Sequence, residues 1–583
     1  MDHTQKLHKL REAFAKEGVD GFLVPRADEY QGEYVPECAE RLAWLTGFTG
    51  SAGLAIILTD KAMVISDGRY TTQLANQVDK GLYELVNSHD IKSEDWLKKN
   101  MSKNAVIGYD PKLHTPEQVK DKEDAGIKLK PIAKNPVDSV WSNRPKPPQE
   151  KVELFPETFA GATAHDKIQD VQKDLKYKKA DAVVLTMPDS IAWLFNIRGN
   201  DVPHIPVALS YAIVPAVGKV QWFIDDSKLT DEVRKNLQDI VEIKSQQDLP
   251  KVLEDHGKQA KTVMLDPERS SIWFKNLLEK AGANIIEEED PCVLPRACKN
   301  ASEQAAMRTS HIRDGVAIVK FLKWLEEEAP KESLTELSVE AKLEAFRAEA
   351  AEFREPSFNT IAGYGEHGAI VHYRANKQSN STIKLNNLLL LDSGGQYDDG
   401  TTDITRTMAI GTPIQEMKER FTLVLKGHIA LASAHFKKGT QGKDLDALAR
   451  KPLIDNGFDY AHGTGHGVGC YLSVHEAAAN INDRSEKVVQ AGMILSNEPG
   501  YYKDGEYGIR IENLLLAQEA DDGSLYFDTI TLAPIDKNLI VTDMLGDKEK
   551  EWLNSYHERV FKTLSPLLDK PTTDWLKQAT LKI

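Results

Sequence analysis

Two pairs of acidic residues in the last third of this 583-residue chain constrain its fold more than any other feature. Asp392 ends the apolar run Leu388-Leu389-Leu390-Leu391, and Asp403 opens the alternating stretch Asp403-Ile404-Thr405-Arg406-Thr407-Met408. Turn residues lie between them. A reversal at Tyr397-Asp398 predicts antiparallel strands with the two carboxylates opposed, about 5 Å apart at Cβ. Glu498 and Glu512 repeat the pattern around Gly505. Like charges opposed across a ladder repel, so finding the arrangement twice predicts a cation that makes it favourable. Each acid also adjoins an apolar segment (Leu388 to Leu391, Met493 to Leu495, Leu514-Leu515), at the edge of a core where unpaired negative charge is costly. A metal or an arginine must compensate. Arg510 can pair with one carboxylate but cannot neutralise four.

The chain is too long for a single core, so about two to four domains are expected. Its net charge of -16 and pI near 5.6 give no basic footprint for nucleic acid or an anionic membrane. Cys38, Cys292, Cys298 and Cys470 lack CxxC spacing, which argues against a disulfide scaffold or a thiolate zinc site and fits a reducing compartment. The start, Met1-Asp2-His3-Thr4-Gln5-Lys6, leads into a charged amphipathic segment without an apolar signal core, and no run reaches membrane-spanning length. A cytoplasmic location is expected.

The proline- and charge-rich stretch Asn143 to Glu150 reads as an interdomain connection. A loose repeat flanks it: Gly21-Phe22-Leu23-Val24-Pro25 precedes Leu42 to Gly47, and Ala182-Val183-Val184-Leu185-Thr186 precedes Ile191 to Asn196. The pattern predicts two related α/β domains arisen by duplication, at 1–143 and 161–296. After Pro291 and Pro295 an α+β domain of two similar halves is expected over 297–583. Its predicted order is helices from Ser302 and about Ser333, strands carrying His372 and the Asp pair, helices over Ile414 to Phe436 and Lys443 to Ile454, then strands carrying His466, His475 and the Glu pair. Beyond about 521 a capping segment with one helix, Lys548 to about Leu564, is expected, stopped by Ser565-Pro566.

Four carboxylates and one imidazole, without a thiolate, favour a pair of Mn²⁺, Co²⁺, Fe²⁺ or Zn²⁺ ions over one structural Zn²⁺. Two such ions would hold a hydroxide between them at neutral pH and polarise a substrate carbonyl, which points to hydrolysis. The glycines of Gly463-Thr464-Gly465-His466-Gly467-Val468-Gly469 argue against a helix, so His462 and His466 are not a helical ligand pair. His475-Glu476 lacks the second histidine of HExxH, and no GxGxxG spacing is present. His372 in Ile370-Val371-His372-Tyr373-Arg374 alternates as a strand one hairpin before Asp392.

These motifs, with Ser496-Asn497-Glu498-Pro499-Gly500-Tyr501-Tyr502 and Gly508-Ile509-Arg510-Ile511-Glu512-Asn513, resemble the pita-bread metallopeptidases, in particular their long, three-domain cytosolic aminopeptidase P (Xaa-Pro aminopeptidase) type. Gly47-Phe48-Thr49-Gly50-Ser51-Ala52-Gly53 and Ser190-Ile191-Ala192-Trp193-Leu194-Phe195-Asn196 extend the likeness to two creatinase-like domains ahead of the catalytic one. The resemblance implies that Asp392 chelates one ion, Asp403 and Glu512 bridge both, and His466 and Glu498 complete the other. It also implies Glu498 as proton acceptor, Arg510 orienting a ligand carboxylate, His372 and His475 at the oxyanion and scissile carbonyl, and His462 lining a proline pocket. Asn497 stands where an acid is expected in relatives, an outer-shell difference. The implied activity removes one N-terminal residue ahead of proline, with Mn²⁺ the expected ion and Co²⁺ or Zn²⁺ as alternatives, in a homodimer. Prolidase and creatinase resemble shorter chains with one N-terminal domain. An inactive pita-bread protein-binding module is disfavoured by five intact ligands.

Overall fold

The loose repeat in the first half of the sequence corresponds to two sheets of the same topology. The computed structural model describes residues 1–583, which divide into two compact units, Met1–Glu157 with Ala162–Val293 and Thr158–Gly161 with Leu294–Ile583. In the first unit, strands β1 (Gly21–Pro25), β2 (Leu54–Leu58), β3 (Ala62–Ser66), β4 (Glu84–Asn87), β5 (Val106–Tyr109) and β6 (Lys128–Pro131) form a sheet of order β4-β3-β2-β1-β5-β6. Strands β7 (Ala182–Leu185), β8 (Tyr211–Pro215), β9 (Val220–Phe223), β10 (Val241–Lys244), β11 (Thr262–Leu265) and β12 (Asn284–Glu287) repeat it as β10-β9-β8-β7-β11-β12. In both sheets the first strand runs antiparallel to the second and parallel to the fifth. Burial on both faces explains why β1 and β7 read as continuous apolar runs rather than alternating ones.

The second unit opens with helix α1 (Ala301–Glu328), capped two residues earlier than expected from Ser302: Asn300 accepts from the Ser302 and Glu303 amides, and the Glu303 carboxylate accepts from the Asn300 amide. Met307, His311, Asp314, Ile318, Phe321 and Leu325 recur at helical spacing on its buried face. Helix α2 (Glu336–Arg347) follows, capped by Thr335. Helices α3 (Gln415–Ala432) and α4 (Gly442–Ile454) form the corresponding pair in the second half.

The acidic pairs sit on strands between these helices. Strand β13 (Phe353–Pro356) joins β16 (Gly395–Tyr397) and β17 (Gly400–Thr401) in one small sheet, and β14 (Ile361–Tyr364), β15 (Asn387–Ser393) and β18 (Ile404–Ile410) form another. The larger sheet has the order β19-β26-β25-β22-β20-β21, built from β19 (His435–Phe436), β20 (Gly465–Gly467), β21 (Glu476–Ile481), β22 (Ile494–Asn497), β25 (Asn513–Glu519) and β26 (Leu525–Thr529). Between β22 and β25 projects the hairpin β23 (Gly500–Lys503) and β24 (Tyr507–Arg510). Thus β15 with β18 in one half matches β22 with β25 in the other. The two pairs join where the Glu512 amide donates to Thr405 O at 3.1 Å.

Several expectations are corrected. Asp392 lies opposite Thr405, not Asp403, which is two residues before Thr405, because β16 leaves the hairpin to pair with β13 on one side and β17 on the other. The acids are diagonal neighbours. His372 lies in a turn following the 3₁₀ segment Gly365–Ala369, and His475 in a bend just ahead of β21, so neither is on a strand. The terminal segment holds two helices, α5 (Asp547–Leu564) and α6 (Lys570–Ala579). No helix is long and apolar enough to cross a membrane.

Candidate metal centre

Asp392 ends an apolar strand whose neighbours Leu388 to Leu391 are buried, so its carboxyl is carried to the edge of the core, only 8% exposed. Asp403 and Glu512, 4% and 1% exposed, flank β18 and β25. His466 is placed by β20, where its amide donates to Ser496 Oγ at 2.9 Å, and Ser496 Oγ in turn donates to Glu498 Oε1 at 3.2 Å. The glycines beside His466 permit this: a Cβ on Gly465 would stand 2.0 Å from Ser496 O. One serine therefore aligns a histidine and a glutamate from neighbouring strands.

These residues converge. One donor atom each from Asp403, His466 and Glu512 lies within 4.8 Å of the others. His466 Nε2 is 3.5 Å from Asp403 Oδ2 and 3.6 Å from Glu498 Oε1. Its Nδ1–H donates to Gly467 O at 2.9 Å, which fixes the ring and turns Nε2 toward the carboxylates. Arg510 Nη2 donates to Asp392 Oδ2 at 2.6 Å, while Asp392 Oδ1 is buried without a hydrogen-bond partner.

The electrostatics show a deficit of positive charge. Burial raises the Asp392 carboxyl above its ordinary range, Arg510 opposing and the Asp403 charge adding to it. Burial takes Glu498 up to about 7 against the pull of His466 and Arg510. Glu512 is driven well above the carboxylate range by burial and the charges of Asp403, Asp392 and Glu498. Burial would lower His466, but its bond to Asp403 and the charges of Glu498 and Asp403 carry it up to about 9. Divalent cations fit this donor set: oxygen-rich, with one oriented imidazole and an orphaned buried carboxylate oxygen.

Around the acids stand groups whose roles the sequence motifs did not reveal. Thr405 Oγ1 donates to Glu512 Oε2 at 2.7 Å and accepts from Arg510 Nε at 3.2 Å. Its position two residues after Asp403 on an alternating strand was the available signal. Tyr502 Oη accepts from Arg510 Nη1 at 2.8 Å. His462 donates through Nδ1 to Gly463 O at 2.8 Å, so in a neutral ring Nε2 accepts the Tyr502 O–H, also at 2.8 Å. The chain Arg510, Tyr502, His462 thus couples Asp392 to a half-buried histidine. The His475 ring stands edge-on to His466 at 4.3 Å. The residue after His475, Glu476, is buried against Lys299 and Arg296. His372 lies on the loop that leaves β14, the strand paired with that of Asp392.

Residues 305–519 match metallopeptidase family M24, residues 6–134 and 143–303 each match the Creatinase/Prolidase N-terminal domain, and residues 523–583 match the C-terminal region of peptidase M24. A protein of Laccaria bicolor named "Probable Xaa-Pro aminopeptidase P" is 40% identical over 603 residues, covering 99% of this chain and 93% of its own. The chain belongs to metallopeptidase family M24. A relative of the same name from Paracoccidioides brasiliensis is 40% identical over 617 residues, 100% of both chains. The structure of X-prolyl aminopeptidase from Caenorhabditis elegans, described as a cytosolic enzyme with a di-nuclear active site, matches with a TM-score of 0.95 at 34% identity over 100% of both chains. Prolidase from Pyrococcus furiosus shares the fold over 62% of this chain and 98% of its own, with a TM-score of 0.50 at 24% identity. The M24 architecture here is two creatinase-type α/β domains followed by an α+β pita-bread domain with pseudo-twofold halves.

Proposed function

We propose that this M24 chain is an Xaa-Pro aminopeptidase that hydrolyses the bond between an N-terminal residue and a following proline. The carrying observation is the convergence of Asp403, His466 and Glu512, with Glu498 beside His466 and Asp392 beside Arg510, within a chain that matches an X-prolyl aminopeptidase from end to end. The domains are assigned as 1–143, 161–296 and 297–583, the last including the segment from about 521.

Asp392 would hold one divalent ion, Asp403 and Glu512 would bridge two, and His466 with Glu498 would complete the second. Mn²⁺ is the proposed metal, with Co²⁺ or Zn²⁺ sharing the same donor preference. When bound, the ions activate water and polarise the scissile carbonyl. Glu498 takes the proton of the attacking water at a carboxylate oxygen and returns it to the proline nitrogen as the bond breaks. His372 and His475 orient the carbonyl and donate to its developing oxyanion. Arg510 holds the Asp392 carboxylate, and through Tyr502 it sets His462 against the proline ring. The Xaa-Pro amide lacks an N–H and restricts the preceding residue, which is why a dedicated site is needed. Its substrates are peptides with proline in second position, and the reading extends to a cytoplasmic homodimer.

The test incubates purified protein with Mn²⁺ or with a chelator and follows an Xaa-Pro-Pro tripeptide, an Xaa-Pro dipeptide and creatine. Metal-dependent cleavage of the tripeptide is expected; indifference of all three to metal would refute the proposal. Glu498→Gln should keep the fold and abolish turnover.

A further inference from the structure

We propose that Glu336 is a positioning residue for His372, acting through a four-bond anchor that fixes the loop over 364–381; this rests on the aminopeptidase reading above. Glu336 opens α2 and is fully buried, 0% exposed. Its Oε1 accepts from the Tyr364 amide at 2.9 Å and from His367 Nδ1–H at 2.8 Å. Its Oε2 accepts from the Tyr373 O–H at 2.9 Å and from the Ser381 amide at 2.9 Å. A carboxylate has about four lone-pair sites, and all are used here.

The four donors are spread over the loop. Tyr364 is its first residue, at the end of β14 and paired with Leu389 of the strand that carries Asp392. Tyr373 directly follows His372, and the His367 ring stacks on the Tyr373 ring at 4.3 Å and 22°. Ser381 closes the loop, where the Glu336 amide also donates to Ser381 O at 3.1 Å and Thr335 bridges Thr382. Val371 and His372 are only half buried, and the following Arg374 is exposed. Tyr373 and Ala375 are buried beside it, so the bonds that hold Tyr373 and the two ends of the loop act on the placement of His372. Gly368 seats the same loop against β24: a Cβ on Gly508 would stand 1.7 Å from Gly368 O. One buried carboxylate therefore ties the His372 turn to β14, the strand paired with the one bearing Asp392.

Glu336→Gln is nearly isosteric, but its amide nitrogen faces two donors and at least two of the four bonds are lost. The experiment compares wild type, E336Q, His372→Ala and the double variant on an Xaa-Pro-Pro tripeptide, with metal content and circular dichroism measured on each. The expected result for E336Q is a fall in kcat of about 10- to 100-fold with KM within about threefold and metal content unchanged, the usual size for a lost supporting shell. In the His372→Ala background the same change should cost less than about threefold further, because coupled residues are not additive. Equal losses with and without His372, a kcat unchanged by E336Q, or loss of metal would overturn the proposal. If E336Q does not fold, the same cycle with Tyr373→Phe, which removes the bond to Glu336 together with the hydroxyl's contacts to Ser379, decides it by the same criterion. A wild-type protein inactive on the tripeptide overturns both readings. Additive losses in an active enzyme overturn only this one.

Discussion

Arg510 grips one oxygen of Asp392 at 2.6 Å and leaves the other, Oδ1, buried with no hydrogen-bond partner. A single guanidinium on one edge of the carboxylate leaves the lone pairs of the opposite oxygen unused, close enough to Asp403 for its charge to act on the Asp392 carboxyl. Arg510→Met should free the Asp392 side chain and also break the link to Tyr502, lowering activity by about 10- to 100-fold. Metal stoichiometry after dialysis, measured beside kcat, checks this. Full metal retention with unchanged kcat would show that Arg510 is not needed to orient the site.

Thr405 gives a finer test, since it touches the second acidic pair through one hydroxyl. Thr405→Val keeps the shape of the side chain but removes the donor to Glu512 Oε2 and the acceptor for Arg510 Nε. Both Thr405 and Glu512 are essentially inaccessible, so the unsatisfied groups should cost about 1–3 kcal/mol. Metal affinity should fall with it, and Thr405→Ser should restore both properties. Thermal unfolding with and without added Mn²⁺ distinguishes the two effects.

What was legible in the sequence was what is local. The apolar run into Asp392, the glycines around His466 and the repeated β1/β7 pattern announce themselves within a few residues, because burial on both faces and close backbone approach leave compositional marks. Pairing offsets are not local: the register of Asp392 with Thr405 depends on β16 joining Phe353–Pro356, a partner about forty residues upstream. Glu336 was invisible for the same reason, its donors lying 28 to 45 residues away. The local alternation around His372 predicts a strand, whereas the chain turns there after a 3₁₀ segment held by that distant carboxylate. Helix α6 was hidden by Pro571, which stands in its first turn, where a missing N–H is no loss.

The glycines of the His466 motif make a prediction with its own control. Gly465→Ala would push a Cβ to 2.0 Å from Ser496 O, forcing β20 away from β22 and with it His466 from Glu498. Gly463, two residues earlier, meets nothing closer than Ile481 O at 3.5 Å. Gly465→Ala should lose metal retention and at least about 1–3 kcal/mol of stability, as overpacking does. Gly463→Ala should behave as wild type in both measurements. Equal tolerance of the two substitutions would contradict the packing assigned to β20.

Acid stability tests two histidines distant from the metal centre in sequence. Burial lowers His114, in the first unit, to about 4 and His557, in the second, to about 3. His557 Nε2 accepts from the Ile535 amide, which requires a neutral ring, and His114, which donates Nδ1–H to Asp110 O, is held neutral by its burial. An unfolded histidine titrates near 6.5 and therefore binds a proton in the window where the folded one does not. With more protons on the unfolded state, stability is complete above about pH 6.5 and falls as the pH drops toward 4, by up to about 3 kcal/mol for each group. His114→Gln and His557→Gln keep a hydrogen-bonding atom but cannot titrate. Each should make the dependence of Tm on pH shallower between pH 6.5 and 4, in the transition of its own unit, and wild-type slopes in both variants would rule out a contribution from these rings.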